Sequence, residues 1–168
     1  LGVYDRLGSN VEKADMARYA IMWVYGGFYT DMDTTLLRPI DSFVDGSSFH
    51  TSVEFRTRES CAADGYTQYA FGSPAGHVVL SEILAGISER ANDPRRRDMH
   101  PDERVFWTTG PVLFSAVIDR HIRSADSCVV VHREGTFGAY KSRPPHAYLR
   151  HHFDGSWKKQ WGNKLADW

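Results

Sequence analysis

Long apolar runs, cysteine clusters and strongly basic segments are all absent from this chain of 168 residues. No apolar run approaches the roughly 20 residues that cross a bilayer as a helix, so no membrane span is predicted. The longest basic run is the three arginines at 95–97, beside acidic residues, and a solvated loop is expected there. With a net charge of −1, the chain is not expected to bind nucleic acid.

Cysteine is scarce, and signals for secretion are missing. Cys61 and Cys128 allow at most one disulfide and lack the spacing of metal ligands, so they do not define the redox compartment. There is no Asn-x-Ser/Thr glycosylation sequon and no basic and apolar leader at the start. Because the chain opens on Leu1 in polar, helix-like sequence, we expect it to be a segment of a longer protein.

The apolar pattern predicts helices that alternate with short strands, which is typical of one α/β domain. Apolar residues at helical spacing predict a helix over 12–25 that ends at Gly26 and Gly27. Its expected buried stripe is Ala17, Ala20, Ile21 and Val24. Further helices are predicted at 78–90 and from 111, with Thr109 as cap and 112–118 buried. Strands are predicted at 28–32, 48–55, 67–71 and 129–131.

Two carboxylates follow the first predicted strand directly. Asp31 and Asp33 belong to residues 29–33, Tyr-Thr-Asp-Met-Asp, where a strand ends, the usual place for sites in α/β sheets. Hard oxygen ligands suit a divalent cation that also binds phosphate oxygens. On the preceding helix, Asp15 and Arg18 share one face. This pair could grip sugar hydroxyls, or it could be a structural salt bridge.

A second polar and aromatic cluster lies near the end of the chain, at 151–158, His-His-Phe-Asp-Gly-Ser-Trp-Lys. A neutral imidazole can complete the coordination of Mn²⁺ held by two carboxylates. Gly155 would let the backbone approach a diphosphate, and Lys158 would bring positive charge to it. Trp157 could stack on a sugar or pack in the core.

Residues 14–33 resemble the sugar-binding region of family 32 glycosyltransferases. Residues 151–158 are similar to the end of the initiation-specific α-1,6-mannosyltransferases of fungi, which are members of that family. The resemblance spans nearly the whole chain and is loosest over 42–98. It implies a GT-A-like, Rossmann-like α/β fold over residues 1–168, lacking the N-terminal strand and helix that cradle base and ribose. It further implies retaining transfer from a nucleotide sugar, GDP-mannose being favoured, to a glycan acceptor.

The resemblance also implies roles for individual residues. Asp33 would bind Mn²⁺ or Mg²⁺ directly, and Asp31 would bind the metal or the donor ribose. Among the two histidines, His152 is preferred over His151 as metal ligand, because its spacing to Gly155 and Lys158 is similar to that in retaining family 8 transferases. The implied catalytic residues are Asp31, Asp33 and Lys158. The implied substrate-binding residues are Asp15, Arg18, Tyr19, Gly26, Gly27, Tyr29, Gly155 and Trp157.

Several alternatives stay open at this point. The donor could be a UDP-sugar, or the domain could bind metal or glycan without catalysis. A metal-dependent phosphohydrolase or nuclease would need more carboxylates and would leave Asp15 and Arg18 unexplained. Gln68 and Glu54 are candidates for the floor of the site, and residues 107–111 for a helix start lining it. The implied location is the Golgi lumen, with a membrane anchor outside this segment, or the cytoplasm for a bacterial protein.

Overall fold

The computed structural model describes residues 2–43, 47–55, 64–124, 128–138 and 144–154. Cys61 and residues 155–158 of the predicted tail motif lie outside these ranges. The helices are α1 (Val3–Arg6), α2 (Asn10–Tyr25), α3 (Val78–Ala91), α4 (Pro101–Thr108) and α5 (Pro111–Arg123), with 3-10 turns at Asp41–Phe43 and Pro94–Arg97. The strands are β1 (Gly27–Thr30), β2 (Thr34–Leu36), β3 (Phe49–Phe55), β4 (Gly65–Tyr66), β5 (Ala70–Ser73), β6 (Val129–His132) and β7 (Leu149–His151).

Strand β3 is the centre of a mixed sheet. It pairs in parallel with β6 and antiparallel with β4 and β5, and β5 in turn pairs antiparallel with β1. Strands β2 and β7 form a separate antiparallel pair in which Thr34 lies opposite His151. The predicted α/β class is confirmed. The strand predicted at 67–71 starts later, because Gln68 and Tyr69 form the turn that joins β4 to β5.

Helices α2, α3 and α5 pack on this sheet around an aromatic centre. Tyr19, Phe49, Phe71 and Phe114 are fully buried, and their ring centroids lie 5.4 to 6.2 Å apart in five contacting pairs. Burial of each such side chain contributes roughly 1.5–3 kcal/mol. The core is therefore apolar and aromatic. It supports strand β1, whose last residue lies directly before Asp31.

The buried face of α2 differs from the predicted apolar stripe. Ile21 and Val24 are 57% and 55% exposed, so the expected stripe is wrong at these positions. The buried side chains of the helix are instead Glu12, Asp15, Tyr19 and Met22. A helix face can bury carboxylates only where partners satisfy them. The partners come from distant segments, which a helical period does not reveal.

The buried carboxylate of Glu12 has partners of this kind. Its Oε2 accepts hydrogen bonds from the backbone N–H groups of Gly8 and Ser9, and its Oε1 pairs with Arg96. Arg95 and Arg97 are exposed, as expected for a solvated loop, whereas Arg96 turns inward to reach this carboxylate. The segment at 95–97 thus closes over the start of α2.

The junction of α4 and α5 also differs from the prediction. Helix α4 was not predicted, and it places Thr109 at its own C-terminal cap, so that Gly110 becomes the N-cap of α5 without a side-chain hydrogen bond. A Cβ at Gly110 would lie 2.9 Å from Phe106 Cα, which explains why glycine fits this close approach. The predicted burial of α5 is confirmed for most of 112–118, and Val112 is 50% exposed.

Candidate metal and donor-sugar site

Two strand pairings bring three potential metal ligands together. Asp31 follows β1, Asp33 precedes β2, and His151 ends β7 opposite Thr34. One ligand atom from each of these three side chains lies within 4.8 Å of the others. The two carboxylates predicted from the sequence therefore meet a histidine from the predicted tail cluster.

Asp33 connects this cluster to the tail. Its Oδ1 lies 3.1 Å from His151 Nε2, its Oδ2 accepts from the Asp154 N–H at 3.1 Å, and its carbonyl accepts from the His152 N–H at 2.9 Å. Phe153, between these residues, has a φ of 54°, a left-handed conformation that is strained for a bulky side chain. The chain accepts this conformation where it wraps around one carboxylate.

The His151 ring is held in place by aromatic contacts. It stacks on Tyr69 with ring centroids 4.0 Å apart, and Phe153 lies on it at 3.9 Å. Burial lowers the pKa of His151 although Asp33 acts in the opposite direction, so the ring is neutral at pH 7, as a metal ligand must be. Its Nδ1 is buried without a hydrogen-bond partner among the described residues. Two carboxylates and this imidazole fit a divalent ion such as Mn²⁺.

His152, preferred as a ligand from its spacing, is not brought into the cluster. Its exposed ring places Nε2 2.8 Å from Thr35 Oγ1. The register of β2 and β7 explains this difference, because neighbouring residues of an extended strand point to opposite sides. The geometry thus favours His151 over His152.

Arg18 connects the predicted sugar-binding pair to the metal cluster. Its Nη2 lies 2.8 Å from Asp15 Oδ1, and its Nη1 lies 2.8 Å from Asp31 Oδ1. The Tyr29 hydroxyl donates to the same Asp31 oxygen at 2.6 Å, and the Arg18 guanidinium lies over the Tyr29 ring at 4.8 Å. The salt bridge considered from the sequence is therefore present, and it is part of the same site as the two carboxylates. Arg18 Nε is buried and has no partner among the described residues.

Asp15 is only 4% exposed. Burial raises its pKa to about 6, although Arg18 and a hydrogen bond from Thr109 both favour the carboxylate. A carboxylate with this pKa is ionised at pH 7 and becomes protonated in mildly acidic solution. Gln68 also lies beside Asp15, whereas Glu54 is half-buried on β3.

Three residues predicted to bind substrate have other positions. Tyr19 is fully buried beneath the site, where its hydroxyl donates to the Thr109 carbonyl, so it supports the site without lining it. Gly26 and Gly27 lie at the end of β1 away from Asp31, roughly 13 Å along the strand. Their φ angles of 64° and 103° turn the chain from α2 into β1, and a Cβ at Gly26 would lie 2.6 Å from the Ala75 nitrogen. These glycines therefore shape the turn. Gly155, Trp157 and Lys158 lie outside the described residues.

Comparison with known proteins relates this site to a family of enzymes. Residues 1–50 match the family model described as "Glycosyltransferase sugar-binding region containing DXD motif". This range contains Asp15, Arg18, Asp31 and Asp33. The predicted resemblance is confirmed: residues 1–50 are similar to the sugar-binding region of DXD glycosyltransferases, and relatives of this chain are named glycosyltransferases or mannosyltransferases.

Three similar proteins illustrate the extent of the similarity. The chain is 31% identical over 124 residues to an uncharacterized glycosyltransferase of Acanthamoeba polyphaga mimivirus, covering 74% of this chain and 45% of that protein. It is 22% identical over 218 residues to the initiation-specific alpha-1,6-mannosyltransferase of Candida albicans, covering 92% and 56%. It is 28% identical over 114 residues to inositol phosphoceramide mannosyltransferase 3 of Schizosaccharomyces pombe, covering 68% and 29%.

The chain thus spans between 29% and 56% of the length of these three relatives. Within the part of the chain that the structure describes, none of the helices combines the length and the apolar character that membrane crossing requires.

Proposed function

We propose that this chain is the donor-binding part of a metal-dependent, retaining glycosyltransferase that transfers a mannosyl group from GDP-mannose to a glycan acceptor. The observation that carries the proposal is the unbroken series of polar contacts from Asp15 through Arg18 to Asp31, beside Asp33 and His151. The similarity to two proteins named mannosyltransferases supports the mannosyl group.

The site residues divide into a metal part and a sugar part. Asp31, Asp33 and His151 would hold Mn²⁺ or Mg²⁺. When bound, a divalent ion supplies positive charge that stabilises a departing nucleoside diphosphate. Arg18, whose Nε has no partner among the described residues, and Asp15 would orient hydroxyls of the donor sugar.

The tail residues complete the proposal. Lys158 is proposed to add positive charge beside the diphosphate, and Gly155 and Trp157 are proposed to line the donor next to it. Retention is proposed to follow same-face attack by the acceptor. The proposed location of the full-length protein is the Golgi lumen, with a membrane anchor outside this chain.

Donor and acceptor each have an alternative. A UDP-sugar would use the same metal and sugar contacts, because Asp15, Arg18 and Asp31 do not read the base. The acceptor is proposed to be a glycan, as the resemblance to family 32 transferases implies. The name of the Schizosaccharomyces pombe relative makes inositol phosphoceramide the alternative.

The test is turnover by the full-length protein with Mn²⁺ and a panel of GDP- and UDP-sugars, with and without EDTA. We expect release of GDP from GDP-mannose that EDTA abolishes and Mn²⁺ restores, and an α-linked product by NMR. Release from a UDP-sugar instead would keep the class and change the donor. A folded protein that binds Mn²⁺ and turns over no donor would indicate a non-catalytic binding domain.

A further inference from the structure

The junction of α2, α4 and α5 contains a buried polar network beneath the donor site. Thr109, between α4 and α5, is fully buried at its centre. Its hydroxyl donates to Asp15 Oδ2 at 2.8 Å. Its carbonyl accepts from the Tyr19 hydroxyl at 3.1 Å and from Gln68 Nε2 at 3.2 Å, and Gln68 Nε2 also donates to the Tyr19 hydroxyl at 2.8 Å.

The hydroxyl of Thr109 is directed at Asp15 by the local backbone. A threonine before Gly-Pro would ordinarily cap the following helix, but the N-cap of α5 is Gly110, and no side chain caps it. Thr109 instead ends α4, where its N–H donates to the Val105 carbonyl. The side chain is left to face α2, where the hydroxyl has the Asp15 carboxylate at 2.8 Å and the Val105 carbonyl at 3.4 Å.

This contact holds the second oxygen of Asp15. Oδ1 is bound to Arg18 Nη2 and Oδ2 to Thr109 Oγ1, each at 2.8 Å. Arg18 then reaches Asp31 through its other terminal nitrogen, also at 2.8 Å. Because both Asp15 oxygens are engaged, rotation of the carboxylate would break a buried contact, and the guanidinium is fixed as a consequence.

We propose that Thr109 is a positioning residue, which holds Asp15 so that Arg18 is aligned with both the donor sugar and Asp31. Gln68 supports the same position by binding the Thr109 carbonyl. The donor part of this proposal rests on the proposed glycosyltransferase function, whereas the effect on Mn²⁺ affinity rests only on its metal-binding part.

Thr109→Val and Thr109→Ser in the full-length protein test the proposal. Valine has nearly the shape of threonine and lacks the hydroxyl, whereas serine keeps the hydroxyl and lacks the methyl group. Groups that directly orient metal ligands typically affect metal affinity or activity by roughly 10-fold or more. Thr109 reaches Asp31 only through Asp15 and Arg18, so its effect on the metal should be smaller. We expect Thr109→Val to raise the donor KM roughly 10-fold and to weaken Mn²⁺ binding, measured by calorimetry, roughly threefold. Thr109→Ser should restore both values to within about twofold of wild type.

A double-mutant cycle with Asp15→Asn separates positioning from simple stabilisation. If Thr109 acts through Asp15, Thr109→Val should change Mn²⁺ affinity and donor KM little further in the Asp15→Asn background. Additive effects would contradict the proposal. A folded Thr109→Val protein with a lower Tm but wild-type Mn²⁺ affinity and donor KM would overturn it as well.

If Thr109→Val does not fold, Thr109→Ala removes the hydroxyl with a smaller side chain. A donor KM raised above that of Thr109→Ser supports the proposal, whereas a KM equal to it overturns the proposal. If wild type binds Mn²⁺ but turns over no donor, the proposed function fails while Mn²⁺ affinity still decides the role of Thr109.

Discussion

Helix α2 contacts two buried regions that are built in opposite ways. Through Tyr19 it meets the aromatic core of Phe49, Phe71 and Phe114. One turn earlier, through Asp15, it enters the polar junction that leads to the metal cluster. In the core, stability follows the apolar area removed from water. In the junction, each buried polar group depends on particular partners at hydrogen-bond distance, so geometry matters more than area.

Asp33→Ala is expected to have the largest effect, because it should abolish function in the polar region and leave the aromatic core intact. Loss of a carboxylate from the metal cluster should remove several kcal/mol of transition-state stabilisation, or roughly 10³-fold in turnover. Folding should change little, because Asp33 is half-buried at the site and outside the aromatic core. The measurement is Mn²⁺-dependent donor turnover together with the Tm, with Asp98→Ala, at an exposed aspartate, as the matched control. Full activity of Asp33→Ala would refute the metal site.

Phe114→Ala should produce the opposite pattern. The ring is fully buried and contacts Tyr19, Phe49 and Phe71, so its loss should lower the free energy of unfolding by about 3–5 kcal/mol. Denaturant unfolding measures this loss, and Val112→Ala, on the exposed side of the same helix, is the control. Below the unfolding transition, Mn²⁺ affinity should equal that of wild type. A large loss of Mn²⁺ affinity would show that the geometry of the polar junction depends on packing in the aromatic core.

Sequence patterns are informative for the apolar region and much less so for the polar one. The near-continuous apolar run of α5 predicted a buried helix, and the structure agrees, because burial of apolar residues follows from local periodicity. The stripe on α2 failed for Ile21 and Val24, because the face that is buried carries Glu12 and Asp15. Their partners, Arg96 and Thr109, are 84 and 94 residues away along the chain.

The candidate site shows the same division. Asp31 and Asp33 were recognisable, because two carboxylates after a strand form a local motif. The histidine that joins them lies 118 residues from Asp33, and the register of β2 with β7 decides which of two adjacent histidines it is. Spacing within the tail favoured His152, whereas strand pairing presents His151. Thr109 was predicted as a helix cap because the existence of α4, which changes its role, was not apparent from the sequence.

His151→Ala and His152→Ala, as a matched pair, test which of the two histidines binds the metal. Removal of the clustered histidine should weaken Mn²⁺ binding by at least roughly 10-fold, since losses of this size already follow when groups that orient a ligand are changed. His152→Ala should change the dissociation constant by less than about twofold, because its ring contacts Thr35. Calorimetric titration with Mn²⁺ measures both. The reverse order would mean that metal binding changes the end of β7 and that the spacing argument for His152 holds.

The smallest expected effect comes from a third arrangement, a histidine pair inside an aromatic cluster. His132 Nε2 lies 3.1 Å from His50 Nδ1, and the His132 ring packs edge-on against Phe43 at 4.7 Å. Burial, reinforced by His50, lowers the pKa of His132 from its ordinary 6.5 to about 4. As the pH falls from about 6.5 towards 4, the unfolded chain therefore takes up a proton that the native state does not, and stability is lost.

His132→Gln keeps a group that can hydrogen-bond to His50 and removes this titration. Between pH 7 and 4.5, wild type should lose about 1–2 kcal/mol more stability than the variant, a value reduced from the full linkage because the ring is only half-buried. Urea unfolding at the two pH values measures the difference, with His146→Gln as the control. Parallel pH profiles for wild type and His132→Gln would mean that His132 is solvated well enough to keep its ordinary pKa.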